Sequence, residues 1–247
     1  MKDGSTLLCV KPIEERRHRP SSDRWWAECF EFDVAASPNG APPLFAKVTL
    51  LPNQQRAWFW AAVIDDPYVL CRDDELALPQ AGPIELRGGG LWMHAICESP
   101  LEHWTVAMEA FAIAFDDPTE AWRSERGDRI GLAFDLEWEC ASGDVVDDGG
   151  GSNGGDYRAV CRVSGDLQVS DDRWDVDALG RRRHAWGPLL DIVGGESGPS
   201  SALLTAPLQC ETPNGTRQLL RWSDATEAPP RWREQFIDLG GDVTPPC

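Results

Sequence analysis

The stretch GLAFDLEWEC, residues 131–140, alternates almost without a break. Leu132, Phe134, Leu136 and Trp138 fall on one face, and Asp135, Glu137 and Glu139 on the other. This period of two marks a strand with one face turned to a core. Similar signals recur on both sides of it. Upstream, RWWAECFEFDV (24–34) reads as a strand and LFAKVTLLPNQQRAWFWAAVI (44–64) as a hairpin around residues 52–55. YVLCRDDELALP (68–79) and PIELRGG (83–89) are shorter strands, followed by GLWMHAICE (90–98) and EHWTVAMEAFAIAFDD (102–117). Downstream, YRAVCRVSGDLQVSDDRWDVDALG (157–180) is two strands around a turn at 170–172, and it runs into GRRRHAWG (180–187). Weaker strand signals follow at 202–209 and 217–222. Closely spaced strands separated by turn residues predict an all-β, antiparallel protein of the barrel or sandwich kind.

Two stretches break the pattern towards helix. DPTEAWRSE carries Asp117 as an N-cap, Pro118 at the first helical position and Glu120 at N3, the ingredients of a two-turn helix. A second short helix is expected at 232–237. ASGDVVDDGGGSNGGD (141–156) is rich in Gly, Asp and Ser and reads as a linker or long loop. It divides an N-terminal β domain (20–140) from a smaller C-terminal one (157–247). Residues 1–20 are charged and aperiodic and read as a loose arm.

The charge balance narrows the function classes. With 41 acidic against 23 basic residues the chain carries a formal charge of −18, a field that repels nucleic acid and anionic membrane. No apolar run approaches the ~18 residues of a membrane span, and the N-terminus has no secretory h-region. A cytoplasmic location follows, with the eight cysteines as reduced thiols, since none forms a C-x-x-C pair. No nucleophile elbow, P-loop, dinucleotide fingerprint or zinc-protease motif occurs. His94 and Cys97 stand three apart on a strand, on opposite faces, and do not chelate together. No cofactor and no metal is expected.

The order of several blocks carries a resemblance. WAECFEFDV (26–34), LLPNQQRAWFWAAVI (50–64), CESPLEHWTVAMEAFAIAFDDPTEAW (97–122), FDLEWE (134–139), VSGDLQV (163–169) and DALGRRRHAWG (177–187) together resemble the lipocalin-like superfamily. That superfamily includes carotenoid hydratases (hydroxyneurosporene synthases) and Diels–Alderase-type cyclases; the likeness is greatest to its bacterial branch and covers residues 24–190. The resemblance implies two lipocalin-like barrel halves with an apolar ligand cavity. It also implies long apolar substrates that are hydrated, or folded for cyclisation, [4+2] reactions included. The chain departs from the family's G-x-R-D-H-S-W-G segment: Arg183 replaces Asp, Ala185 replaces Ser, and Pro188, Leu189 and Leu190 replace the following R-D-W.

Glu28 and His184 are the candidate catalytic residues. Glu28 matches a family glutamate and shares a strand face with Trp26 and Phe30; in an apolar setting it would act as a general acid. A salt bridge to an arginine across the barrel is the structural alternative. His184 is either a polarising group or part of a packed corner with Gly180, Trp186 and Gly187, the arginines beside it pairing with surrounding carboxylates. Trp26, Trp58, Trp60, Trp92, Trp104, Trp138 and Trp186 are the candidate substrate walls, whose π faces hold a polyene or stabilise a developing cation. Glu109 joins them, because both faces of its strand look buried and a carboxylate there must be paired, neutral or cavity-facing. The expected function is a cyclase or isomerase of a polyene- or polyketide-like substrate in natural-product biosynthesis, acting chiefly by shape. An alkene hydratase and a non-catalytic carrier are the alternatives.

Overall fold

The computed structural model describes residues 10–65, 67–116, 127–140, 154–189 and 192, and the backbone of 141–147. It also describes the backbone of 208–212, 215–224 and 231–238. The chain is all-β, as the alternation at 131–140 predicts. Ten strands form one antiparallel sheet: β1 (Trp26–Val34), β2 (Leu44–Leu51), β3 (Arg56–Val63), β4 (Tyr68–Ala77), β5 (Ile84–Gly88), β6 (Leu91–Ser99), β7 (His103–Phe115), β8 (Asp128–Asp147), β9 (Gly155–Val169) and β10 (Asp172–Pro188). Their spatial order is β4-β3-β2-β1-β10-β9-β8-β7-β6-β5, and an additional β4–β7 pairing curls the sheet into a ring.

β7 makes the closure possible because it is long enough to share one edge between two partners. Residues between His103 and Ala110 pair with β6, and Ile113, Ala114 and Phe115 pair with Leu70, Val69 and Tyr68 of β4. Eight strands thus complete the circuit. An eight-stranded ring has an interior that side chains can fill, and here they do. Phe30, Phe32, Val48, Phe59, Met93, Trp104, Val106, Leu136, Trp138 and Val163 belong to one continuous buried cluster. β1, β2 and β3 are buried on both faces. Their second face meets Leu189 and Ile192 in a separate cluster built on Ala27, Cys29, Leu51, Trp58, Trp60 and Phe115.

Several expectations change. The stretch 141–156, read as an inter-domain linker, falls at a hairpin of the ring: Val145, Val146 and Asp147 of β8 pair with Ala159, Arg158 and Tyr157 of β9. Strands from both sides of it therefore share one sheet. β11 (Leu208–Thr212), β12 (Gly215–Asp224) and β13 (Arg231–Asp238) make a three-stranded antiparallel sheet. The helix expected at 232–237 is strand β13, where pairing with β12 overrides the local pattern. The helix expected from Asp117 lies outside the described residues. Cys140 and Cys161 are joined by a disulfide, which corrects the reading of all eight cysteines as reduced thiols. They stand directly opposite each other on β8 and β9 with Cα atoms 4.2 Å apart, a separation that sequence spacing does not reveal. No helix among the described residues is long and apolar enough to cross a membrane.

Gly180 is required by close approach. A Cβ there would lie 2.4 Å from the Asp33 carbonyl oxygen and 2.4 Å from Val163 Cγ2. The same Asp33 carbonyl accepts the indole N–H of Trp138 at 3.2 Å, so the backbone has no room to retreat. Gly180→Ala is expected to lower stability by about 1–3 kcal/mol, the usual cost of overpacking a core; an unchanged midpoint in urea would refute the assignment.

Candidate functional site

Alternation along β1 and β10 sorts their polar residues onto two faces. On β10, Arg181 and Arg183 point away from the barrel interior and Arg182 and His184 point into it, and β1 answers on each side. Outward, Arg181 Nη2 binds Asp33 at 2.6 Å. Arg183 binds Asp156 at 2.6 Å and Glu31 at 3.2 Å, and Lys47 also pairs with Glu31. Burial pushes the Glu31 carboxyl up, but the charges of Lys47 and Arg183 outweigh it and hold it well below the ordinary range. The arginine run of 180–187 is therefore a buried ion-pair seam.

Inward, the chemistry is different. The Glu28 side chain is 1% exposed, and one of its oxygens takes three hydrogen bonds: His18 Nδ1 at 2.8 Å, the His18 backbone N–H at 3.0 Å and His184 Nε2 at 2.9 Å. An ionised carboxylate only accepts, so both ring nitrogens facing it carry hydrogen. His184 Nδ1 is then the acceptor in a neutral ring, and the Tyr157 hydroxyl donates to it at 3.2 Å. His18 Nε2 meets Glu14 at 3.0 Å. A continuous chain of contacts thus runs Tyr157–His184–Glu28–His18–Glu14, from the barrel interior to a glutamate whose side chain is 34% exposed.

Aromatic rings fix the two imidazoles. His18 stacks on Trp186 with centroids 3.6 Å apart and His184 on Phe30 at 4.1 Å. Burial would raise the Glu28 carboxyl, but hydrogen bonds from His18 and His184 and the attraction of both rings outweigh it and lower its pKa. Burial opposes a charge on His18 as well, but Glu28 and Glu14 overcome it and raise the imidazole. Burial holds the Tyr157 phenol far above its ordinary value, so it remains a hydroxyl donor.

Half of this network comes from the arm. Residues 10–23 are laid across the end of the ring, not loose as the sequence suggests. Glu15 reaches inside: it accepts from Leu101 N and Trp104 Nε1, each at 3.0 Å, and pairs with Arg182 at 2.5 Å. Arg17 donates to the carbonyl oxygens of Pro79 and Gln80 at 2.9 and 2.8 Å. The arm is a strap tied to three separate parts of the rim.

The structure brings Glu28, His184 and Trp186 together, with Trp104 joined to them through Phe30 and Glu15. It disperses the other candidates. Trp138 is fully buried farther along the interior, beside Phe32. Trp58 and Trp60 lie in the second cluster, on the opposite face of β3. Trp26 is buried at the start of β1, opposite Pro188. Trp92 and Glu109 are cross-strand partners on the outer face of β6 and β7, lining a groove of about 530 Å³ with Phe111 and Gln168. Glu109 is exposed, which corrects the reading of its strand as buried on both faces: Val106 and Met108 point in, and the odd-numbered residues point out. The sequence reading missed His18, Tyr157, Glu14 and Glu15. The available signal was scarcity, since the chain has only four histidines and one of them lies in the arm.

A family profile described as a domain of unknown function (DUF7064) matches residues 11–189. The chain belongs to the DUF7064 family. The match begins at the strap and ends where β10 ends, so the DUF7064 domain includes the arm residues that complete the site. No curated protein sequence matches the chain. Crystal structures similar to it include two of CghA. That of CghA is 12% identical with a TM-score of 0.37, and that of CghA with Sch210972 is 14% identical with a TM-score of 0.33. Each alignment covers 95% of this chain and 66% of the other.

Proposed function

We propose that the strap-covered end of the barrel is the active site of a cyclase or isomerase acting on a largely apolar, polyene- or polyketide-like small molecule. The observation that carries this reading is Glu28, buried in an aromatic surround and hydrogen-bonded by two imidazoles, each stacked on an aromatic ring. The Tyr157–His184–Glu28–His18–Glu14 chain can accept a proton at one point and return it at another without leaving a bare charge in the apolar interior. That suits chemistry in which the substrate's composition does not change. The interior beside Glu28 is filled, so a substrate reaches it only where the strap lifts; the Trp186 face that His18 covers and Trp104, capped by Glu15, are then the flat surfaces that hold a flexible chain in a reactive fold. Hydration of an isolated alkene needs a strong acid, and a carboxyl whose pKa is lowered by two imidazoles is poorly suited to that role.

The test is mass spectrometry of an apolar extract of the host before and after incubation with the purified chain. The expected result is a product of unchanged mass and new retention time. A gain of one water would replace this reading with a hydratase, and a compound retained unchanged would replace it with a carrier. Glu28→Gln is expected to lower turnover by about 10²-fold or more, the usual range for a lost acid–base group, with the circular dichroism of the barrel preserved. Full turnover in that variant would remove Glu28 from the site.

A further inference from the structure

The three side chains that hydrogen-bond to one another at Glu28 also have the composition and supports of a metal centre. We infer that His18 Nδ1, His184 Nε2 and Glu28 bind one divalent first-row transition-metal ion of the zinc type. The three donor atoms lie within 4.8 Å of one another. Two neutral imidazoles and one carboxylate are a ligand set that such ions take, with a further position left for water or substrate. Spacing along the chain hides the set, because Glu28 stands 10 residues from His18 and 156 from His184.

The second observation is independent of the donors. A metal-bound histidine characteristically gives its other ring N–H to an oxygen, which fixes its tautomer and orientation. Both histidines have that oxygen in place: Glu14 Oε2 stands 3.0 Å from His18 Nε2, and Tyr157 Oη stands 3.2 Å from His184 Nδ1. The stacking of His18 on Trp186 and of His184 on Phe30 holds both ring planes. Metal–ligand bonds of about 2.0–2.1 Å in tetrahedral array set donors roughly 3.3 Å apart. The contacts of 2.8 and 2.9 Å to Glu28 therefore need to open slightly, and the donor set, which now spreads to 4.8 Å, needs to draw in. The ion displaces the hydrogens that now lie between these atoms: on His184 the ring hydrogen moves from Nε2 to Nδ1, which then donates to the Tyr157 oxygen, and the Tyr157 hydroxyl ceases to donate to the ring. It also ties the strap to the barrel, because one ligand comes from the arm and two from the paired strands β1 and β10.

The inference uses the residues of the proposed active site but does not depend on the reaction they perform, so its readout is binding. Purified full-length chain is stripped with a chelator, dialysed and titrated with Zn²⁺ by calorimetry. Co²⁺ is then added as a spectroscopic probe of coordination. One equivalent per chain is expected, with visible Co²⁺ bands of low-coordinate N/O ligation. Glu28→Gln and His184→Gln are expected to lose affinity by at least about 100-fold. Glu14→Gln keeps all three ligands and is expected to lose about 10–100-fold, as for other supporting partners. That variant alters a half-exposed residue and keeps the comparison usable if the buried variants do not fold. His94→Gln and His103→Gln are expected to bind as wild type. Absence of stoichiometric binding to the folded wild-type chain, or binding unchanged in Glu14→Gln and His184→Gln, would overturn the inference. Either result leaves the mass-spectrometric test of turnover standing.

Discussion

Glu31→Gln is expected to destabilise the folded chain by about 3–5 kcal/mol, the range seen when one partner of a buried ion pair is removed. Its side chain is 2% exposed and compensates both Lys47 and Arg183. Glutamine fits the same space and can still accept a hydrogen bond, but it removes the negative charge that Lys47 and Arg183 share, and Arg183 then relies on Asp156. The effect has a signature in pH. The folded-state carboxyl lies below the ordinary glutamate value of 4.5. Its contribution is therefore complete above that value and is lost as the pH falls through the lower folded one. Wild-type protein should lose stability in acid over that interval, and Glu31→Gln should lose this component of the acid dependence along with the stability itself. Denaturant titrations at pH 7 and in mild acid measure both. A variant with the wild-type midpoint at neutral pH would show that the ion cluster contributes nothing net.

The second large effect is local. Glu15→Gln leaves Arg182 without its carboxylate inside the ring, again at a cost of about 3–5 kcal/mol. Here the cost falls on a peripheral strap that can come away while the sheet remains paired. A penalty near 3 kcal/mol corresponds to roughly a hundredfold larger open population. Trypsin cleavage after Arg16 and Arg17 should accelerate by about that factor under conditions where cleavage follows opening. The global unfolding midpoint should move less than in Glu31→Gln. Equal global loss in the two variants, without faster clipping of the arm, would mean that the strap is an inseparable part of the barrel. The comparison bears directly on the site, because the strap supplies His18 and Glu14.

The strands were legible because each carries its own record. Alternation at 131–140 and in β1 depends on which face meets the core, a property of neighbouring residues. The ring was not legible. Its closure depends on β7 pairing first with β6 and then with β4, and no local pattern states which strand takes the free end of an edge. The disulfide was hidden for the same reason: Cys140 and Cys161 meet only through the β8–β9 register. Glu109 was misjudged because Trp92, Phe111 and Ala107 make the outer face apolar enough to resemble a core. Of the cluster at the strap-covered end, the sequence names Glu28, His184 and Trp186, through the resemblance carried by 26–34 and 177–187. His18 and Glu15 were missed because a charged, aperiodic segment gives no sign that its carboxylates and imidazole are anchors for buried partners.

The sheet order has a kinetic meaning. β1 to β4 form one meander and β5 to β10 another, each built from neighbouring hairpins that close quickly. The two meet at a short seam, β4–β7, and at a long one, β1–β10, whose partners lie some 150 residues apart. Closure over such a distance is slow, and it must also find the right alignment. The ion pairs of β1 supply that selection. In the native register Glu31 faces Arg183 and Asp33 faces Arg181. A slip of two residues in one direction sets Asp33 against Leu179, and in the other it sets Glu31 against Ala185. Either way one carboxylate loses its arginine for an apolar side chain, so the slipped registers lie above the native one in energy. The charges on this seam thus specify its register, and Glu28 and His184 come together only when β1 and β10 meet in that register.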